Sequence, residues 1–196
     1  MFRFLIDTTN SYLALSATRD ETVIFTIINK FVNRTNETIL LSIDECLKNN
    51  KLSLDHFDEF YVIIGPGSYT GIRIGIATML AFSIAFGKPL IGISLLDAFA
   101  LSQDKSTVRI FYCIRNNYYV TKYYNFERDV YSEYEIVESP GLCSYENPDL
   151  CSYENIVIKD NYYNAANTLL NKKLGFFKRD YKPVYFSNNF YDKMKI

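Results

Sequence analysis

GPGSYTGIRIGIATMLAFSIAF, from Gly65 to Phe86, is the stretch on which the reading of this chain turns. It opens as a turn: Pro66 presets φ at the second position, and Gly67 supplies the positive φ that a type II turn needs at the third. Ser68 or Thr70 can then cap a helix by accepting a bond from an unpaired backbone N–H. Within Ile72–Phe86 the clearly polar residues are Arg73, Thr78 and Ser83, five apart, so they scatter around the cylinder. A helix that is apolar all round is one covered on all sides. It is shorter than the ~20 residues that cross a bilayer, and Gly87-Lys88-Pro89 stops it, so no membrane association is expected. One side is expected to pack on its own sheet. The other needs cover from elsewhere, and in a chain of 196 residues a second protein is a reasonable source.

On the N-terminal side, Phe2–Ile6 reads as a buried strand, Asp7-Thr8-Thr9-Asn10-Ser11 as a polar turn, and Tyr12–Ala17 as the returning strand. Thr22–Ile28, rich in β-branched residues, makes a third. Ile39, Leu40, Ile43, Cys46 and Leu47 then fall at helical spacing, with Glu37, Ser42, Asp44, Glu45 and Lys48 mostly opposite. Phe60–Ile64 is a strand that leads into the glycine-rich turn. Beyond the apolar helix come a strand at Leu90–Ile93 and a helix opened by the capping box Ser94-Leu95-Leu96-Asp97, running to about Ser102. A hairpin set joined to strand–helix–strand crossovers predicts an α/β fold with a mixed sheet flanked by helices.

After Gln103-Asp104-Lys105-Ser106 the texture changes, which divides the chain into an N-terminal unit, 1–104, and a smaller unit, 105–196. Val108–Cys113, Tyr118–Tyr124 and Tyr131–Val137 read as strands, with Arg115-Asn116-Asn117 as a hairpin turn. Pro140–Asp149 is loop-like, and Cys-Ser-Tyr-Glu-Asn occurs at 143–147 and again at 151–155, a local duplication in a loop. Ile156–Ile158 is expected as a strand, Asn161–Asn171 as a helix and Pro183–Ser187 as a last strand.

Composition limits the chemistry. Hydrophobic content of 48% and charged content of 22% suit a soluble globular protein, and a net charge of −1 gives no overall pull toward nucleic acid. The basic residues Lys172, Lys173, Lys178, Arg179, Lys182, Lys193 and Lys195 gather near the end against Asp180 and Asp192, as a solvated tail or a contact for RNA or an acidic partner. Cys46, Cys113, Cys143 and Cys151 show no CxxC spacing, and the opening FRFLI is no signal-peptide core, so reduced thiols and a cytoplasmic location are expected. His56 is the single histidine, which excludes chemistry needing a histidine pair within this chain. Cys143 and Cys151 lack further ligands for a metal, and nothing activates Ser68, so neither a metal site nor a catalytic residue is assigned.

Two features invite a nucleotide reading. Gly65, Gly67, Ser68, Thr70 and Gly71 open a helix, where backbone N–H groups and the helix dipole attract anions. Yet the spacing G-x-G-x-x-x-G is neither a dinucleotide fingerprint nor a Walker A loop. Gly71 and Gly75 equally serve to let another backbone approach one helix face. Asp7, ending the first strand beside Thr8 and Thr9, can hold a phosphate-bound Mg²⁺, or else simply close its own turn through side-chain to backbone bonds.

The strand and helix order and the loop Gly65–Gly75, with Ile6-Asp7-Thr8, Ile43-Asp44-Glu45-Cys46-Leu47, Pro89-Leu90-Ile91-Gly92-Ile93-Ser94-Leu95 and a weak return at Pro183-Val184-Tyr185, resemble the TsaB (YeaZ) family. The resemblance implies an actin-like (ASKHA) fold of two subdomains, and a role in making N6-threonylcarbamoyladenosine at position 37 of tRNA. In that family TsaB is a degenerate relative and obligate partner of the transferase TsaD, TsaE joins as an ATPase, and tRNA is met through the complex. TsaD carries a histidine pair on a helix, whereas His56 here stands alone. Thr35-Asn36 replaces the His-Ser that many TsaB chains carry before the first helix, and Cys113-Ile114-Arg115 replaces a frequent Asp-Ala-Arg. Both departures suit a scaffold better than an enzyme. The family's heterodimer packs two helices against two of TsaD, which places Ile39, Leu40, Ile43, Ile72, Ile76 and Met79 as expected partner contacts. The same surface is expected to pair two copies when the partner is absent, and no cofactor is expected apart from ATP or ADP with Mg²⁺ at the joint interface. The alternative is an independent ATPase or phosphotransferase using Asp7 and the glycine loop. A peptidase is disfavoured, because neither a nucleophile–base pair nor a metal cluster is available.

Overall fold

The computed structural model describes residues 1–10, 12–30, 35–103, 106–115, 118–138, 150–153 and 181–184. The first sheet contains β1 (Phe2–Asp7), β2 (Tyr12–Arg19), β3 (Thr22–Lys30), β4 (Glu59–Ile63) and β5 (Leu90–Ile93), in the order β3-β2-β1-β4-β5. Only β2 runs against the other four, since it is antiparallel to β1 and β3 while β1, β4 and β5 are parallel. The parallel pairs need crossovers, supplied by α1 (Thr35–Asn49) between β3 and β4 and α2 (Tyr69–Phe86) between β4 and β5. The third helix, α3 (Leu95–Ser102), follows β5. This is the mixed sheet with crossover helices that the sequence predicts.

Strand alternation sorts the helices between two faces. Phe4 and Ile6 of β1, with Phe60 and Val62 of β4, pack against Ile39, Ile43, Cys46 and Leu47 of α1 and Met79 of α2. Leu5, Tyr61 and Ile63 point the other way and join Leu95, Leu96, Phe99 and Leu101 of α3. That second cluster continues without a break into Val108, Ile110, Val120 and Tyr124, which belong to the second sheet.

The second sheet holds β6 (Thr107–Arg115), β7 (Tyr118–Asn125), β8 (Val130–Tyr131), β9 (Glu135–Glu138) and β10 (Leu150–Tyr153), in the order β10-β6-β7-β8, with β9 also on β7. It repeats the plan of the first. β6, β7 and β9 form an antiparallel meander, and β10 lies parallel on the far side of β6, as β4 does on β1. Two expectations are corrected here. The single strand expected at Tyr131–Val137 is two short strands that pair with opposite ends of β7. The second copy of the Cys-Ser-Tyr-Glu-Asn repeat begins inside β10, not in a loop, because ladder bonds to β6 hold Leu150–Tyr153 extended. The first copy, the strand at Ile156–Ile158, the helix at Asn161–Asn171, most of the basic tail and the boundary at 104 lie outside the described residues.

A buried ion pair crosses the centre of the first sheet. Arg3 and Glu59 are register partners on β1 and β4, and the Arg3 Nε donates to Glu59 Oε2 at 3.2 Å with both side chains under 10% exposed. Tyr61 OH donates to the same oxygen at 2.6 Å, and burial together with that bond pushes the Tyr61 phenol well above its usual range. Removing one member of such a pair strands the other charge without its partner. Glu59→Ala is therefore expected to cost about 3–5 kcal/mol in urea unfolding, while the apolar pair Arg3→Met with Glu59→Leu recovers most of the loss. Burial also pushes the Cys46 thiol up to about 11 from its ordinary 9.0. In a background with Cys113, Cys143 and Cys151 replaced by serine, a thiol reagent should modify Cys46 only as the chain unfolds. Stability should decline between pH 9 and about 11, where the unfolded thiol ionises and the folded one does not.

Candidate functional site

The glycine loop lies where β4 ends and α2 begins, and the chain itself fills it. A Cβ on Gly71 would overlap the Thr8 carbonyl oxygen, and one on Gly75 would overlap Thr8 Oγ1. At Gly67 it would lie 2.5 Å from the Thr9 carbonyl oxygen, and at Gly65 2.7 Å from that of Val184. The space those side chains would occupy holds the β1–β2 turn and a distant segment, 181–184. The loop's polar groups are engaged in the same contacts. Ser68 N donates to Thr9 O at 2.6 Å, Leu95 N to Gly65 O at 2.7 Å, and Val184 N to Ile64 O at 2.8 Å. Thr8 Oγ1 donates to Gly71 O at 2.7 Å.

The turn differs from the type II geometry expected. The Gly65–Pro66 bond is cis and the Gly67 φ is 159°, far from the roughly +80° that type II places at that position. Of the two candidate caps, Ser68 takes the role: its Oγ accepts from Gly71 N at 3.3 Å, and Thr70 is exposed in the first turn of α2. Gly87, at φ 63°, ends the helix in the left-handed conformation.

Asp7 is brought beside this loop and is fully buried. Its Oδ1 accepts from Thr9 N and from Thr9 Oγ1, both at 2.7 Å, which closes its own turn. The loop donors that an anion would seek at Ser68, Gly71 and Ile72 already have partners at Thr9 O, Ser68 Oγ and Ser68 O. Among the described residues no three His, Cys, Asp or Glu side chains gather to hold a metal. Asp7, Gly65, Gly67, Ser68 and Gly71 thus come together as a packing joint, with Thr70 exposed beside it.

The expected partner contacts divide differently. Ile39, Ile43, Ile72 and Met79 are each no more than 2% exposed and belong to this chain's own core, so they are corrected from surface to interior. Gly71 and Gly75 draw one stripe of α2 onto the β1–β2 turn, and Ile72 and Met79 follow it inward. Ile76 is half-buried, and Leu40 is 56% exposed. The side of α2 away from the stripe is open: Ala77, Ala81 and Ala85 face outward, Ile84 is 74% exposed and Phe86 38%, while Ile74, Ile76, Leu80 and Phe82 are half-buried against the core. On α1, Leu41 stands beside Leu40 at 62% exposure. Sequence reasoning missed Ile84 and Phe86 because an all-apolar helix gives no periodic signal of its own, the glycine pair four apart being the available clue; Leu41 lies on the polar side of α1, where an apolar residue has no partner in the chain's own pattern. Arg73, the lone charge on α2, lies over the Tyr69 ring at 3.8 Å.

An actin-like fold whose glycine loop is closed by its own chain, beside an open apolar helix face, defines the class. A family profile described as TsaD: tRNA N6-adenosine threonylcarbamoyltransferase matches residues 31–127. The tRNA threonylcarbamoyladenosine biosynthesis protein TsaB of Haemophilus influenzae is 44% identical over 78 residues, covering 38% of this chain and 32% of that protein. TsaB of Bacillus subtilis is 27% identical over 95 residues, covering 48% and 42%. In both, the matched stretch spans less than half of the relative's own length. The solved structure of YeaZ from Pseudomonas aeruginosa superposes with a TM-score of 0.67 at 14% identity, covering 94% of this chain and 99% of that one, which establishes the fold. The chain is thus similar in sequence to TsaB proteins over part of its length and shares the fold of YeaZ.

The packing joint makes a sharp demand on Gly71. Gly71→Ala must separate α2 from the β1–β2 turn and is expected to cost about 3 kcal/mol, at the upper end for overpacking, or to prevent folding. Gly87→Ala, where nothing lies within 4 Å, carries only the left-handed backbone penalty of about 1–2 kcal/mol. Thermal unfolding of the two variants side by side measures the difference.

Proposed function

We propose that this chain is a noncatalytic partner subunit in tRNA N6-threonylcarbamoyladenosine formation, docking a TsaD-type transferase on the outer faces of α1 and α2. The observation that carries this reading is the apolar surface left open by Leu40, Leu41, Ala77, Ala81 and Ile84. Single exposed apolar residues are ordinary, but several of them on two helices that cover one face of the same sheet are a mark of an interaction site. The names of the matching proteins supply the pathway. The engaged glycine loop and the self-closed Asp7 turn support a supporting role over an independent phosphotransferase, which would need both for nucleotide.

In this reading TsaE joins the pair, tRNA is met through the complex, and ATP or ADP with Mg²⁺ binds only where the two subunits meet. Without the transferase two copies pair through the same helices, and the protein works in the cytoplasm. Units 1–104 and 105–196 act together, with the first carrying the docking helices.

Size-exclusion chromatography with light scattering, on the chain alone and mixed with the TsaD homologue from the same source, tests the proposal. A one-to-one complex is expected, and none with or without ATP and TsaE overturns it. Full burial of a Leu or Ile side chain is worth about 1.5–3 kcal/mol, so Leu41→Asp or Ile84→Asp should each weaken the complex about 10-fold or more with the fold intact. Met79→Asp should instead unfold the chain, because Met79 is fully buried.

A further inference from the structure

The first turn of α3 touches both sheets within three residues. Leu95 N donates to Gly65 O of the glycine loop at 2.7 Å, which ties the turn to the first sheet. Two residues on, Asp97 reaches the second sheet: its Oδ1 accepts from Lys122 Nζ at 2.7 Å and from Tyr124 OH, both on β7. Ser94 caps the turn by accepting from Asp97 N at 3.0 Å. The Lys122 ammonium is enclosed by the rings of Tyr124, Tyr131 and Tyr134 at 5.2, 4.6 and 5.1 Å from their centroids. The two charged side chains are 9% and 14% exposed.

Apolar packing is non-directional, so the cluster shared by α3 and the two sheets does not by itself specify one angle between them. A buried ion pair does not, since its geometry must stay good to offset desolvation. The aromatic faces add attraction for the cation only where the ammonium lies over them. We propose that Asp97, Lys122 and the three tyrosines form a lock that fixes the angle between the two sheets, so that the lobes move as one body around the first turn of α3. The lock lies away from the outer faces of α1 and α2 and stands independently of the function proposed above.

The test measures the distance between the lobes in the full chain by double electron–electron resonance. Spin labels go on Glu21→Cys in the β2–β3 turn and Glu127→Cys in the β7–β8 turn, both exposed. Cys113, Cys143 and Cys151 are replaced by serine. The parent should show one narrow distance. The apolar variant Asp97→Leu with Lys122→Met and Tyr124→Phe should keep its circular dichroism but give a broader or displaced distribution. An unchanged distribution overturns the lock. Should that variant fail to fold, Lys122→Met alone, which keeps the bond from Tyr124 to Asp97, decides by the same readout. Collapse of both variants also overturns it, by making the pair a requirement for folding instead of orientation.

Discussion

The contact of α2 with the β1–β2 turn is the constraint from which the rest follows. A helix can lie on a turn this closely only where it has no side chains, and Gly71 and Gly75 give that at one-turn spacing. The rotation of α2 about its axis is thereby set, and with it which apolar residues go inward. The same loop receives Leu95 and Val184, so the start of α3 and a segment more than a hundred residues away are fixed by it as well. The loop is therefore the meeting point of several chain segments.

That rotation explains why an almost wholly apolar helix lies on a sheet without being enclosed by it. Ile72 and Met79 go inward with the glycines, while Ala77, Ala81 and Ile84 go outward. α1 obeys the same geometry: Ile39 and Ile43 face the sheet, and Leu40 and Leu41, about 100° further round the cylinder per residue, face away. Apolar area remaining outside is a thermodynamic debt that a second protein can settle, and this links the packing of the glycine loop to function.

The two sheets share a plan and a core, and among the described residues each carries a buried charged pair at a point where strand register or helix orientation needs a direction. Arg3 and Glu59 lie opposite one another across parallel strands, and Asp97 and Lys122 join a helix turn to a strand of the other sheet. Hydrophobic contact holds these elements together, and the polar pairs specify how.

The sequence by itself determined the element order, and it came through nearly intact from β1 to α3, because period-two and helical spacing, the Ser68 and Ser94 caps and Gly87 are local signals. It also raised the turn-closing reading of Asp7 and the close-approach reading of the Gly71–Gly75 pair, and the contacts of both are present. It could not say which side of α2 faces inward, since a helix apolar all round carries no phase. Ile39, Ile43, Ile72 and Met79 were accordingly misplaced at the surface. Nor could it show that Leu150–Tyr153 pairs with β6 or that Val184 seats against Gly65, because both depend on partners some forty to a hundred and twenty residues away. Local chemistry fixes what each segment is. Only long-range contact decides which atoms are covered, and on this protein the uncovered ones carry the functional argument.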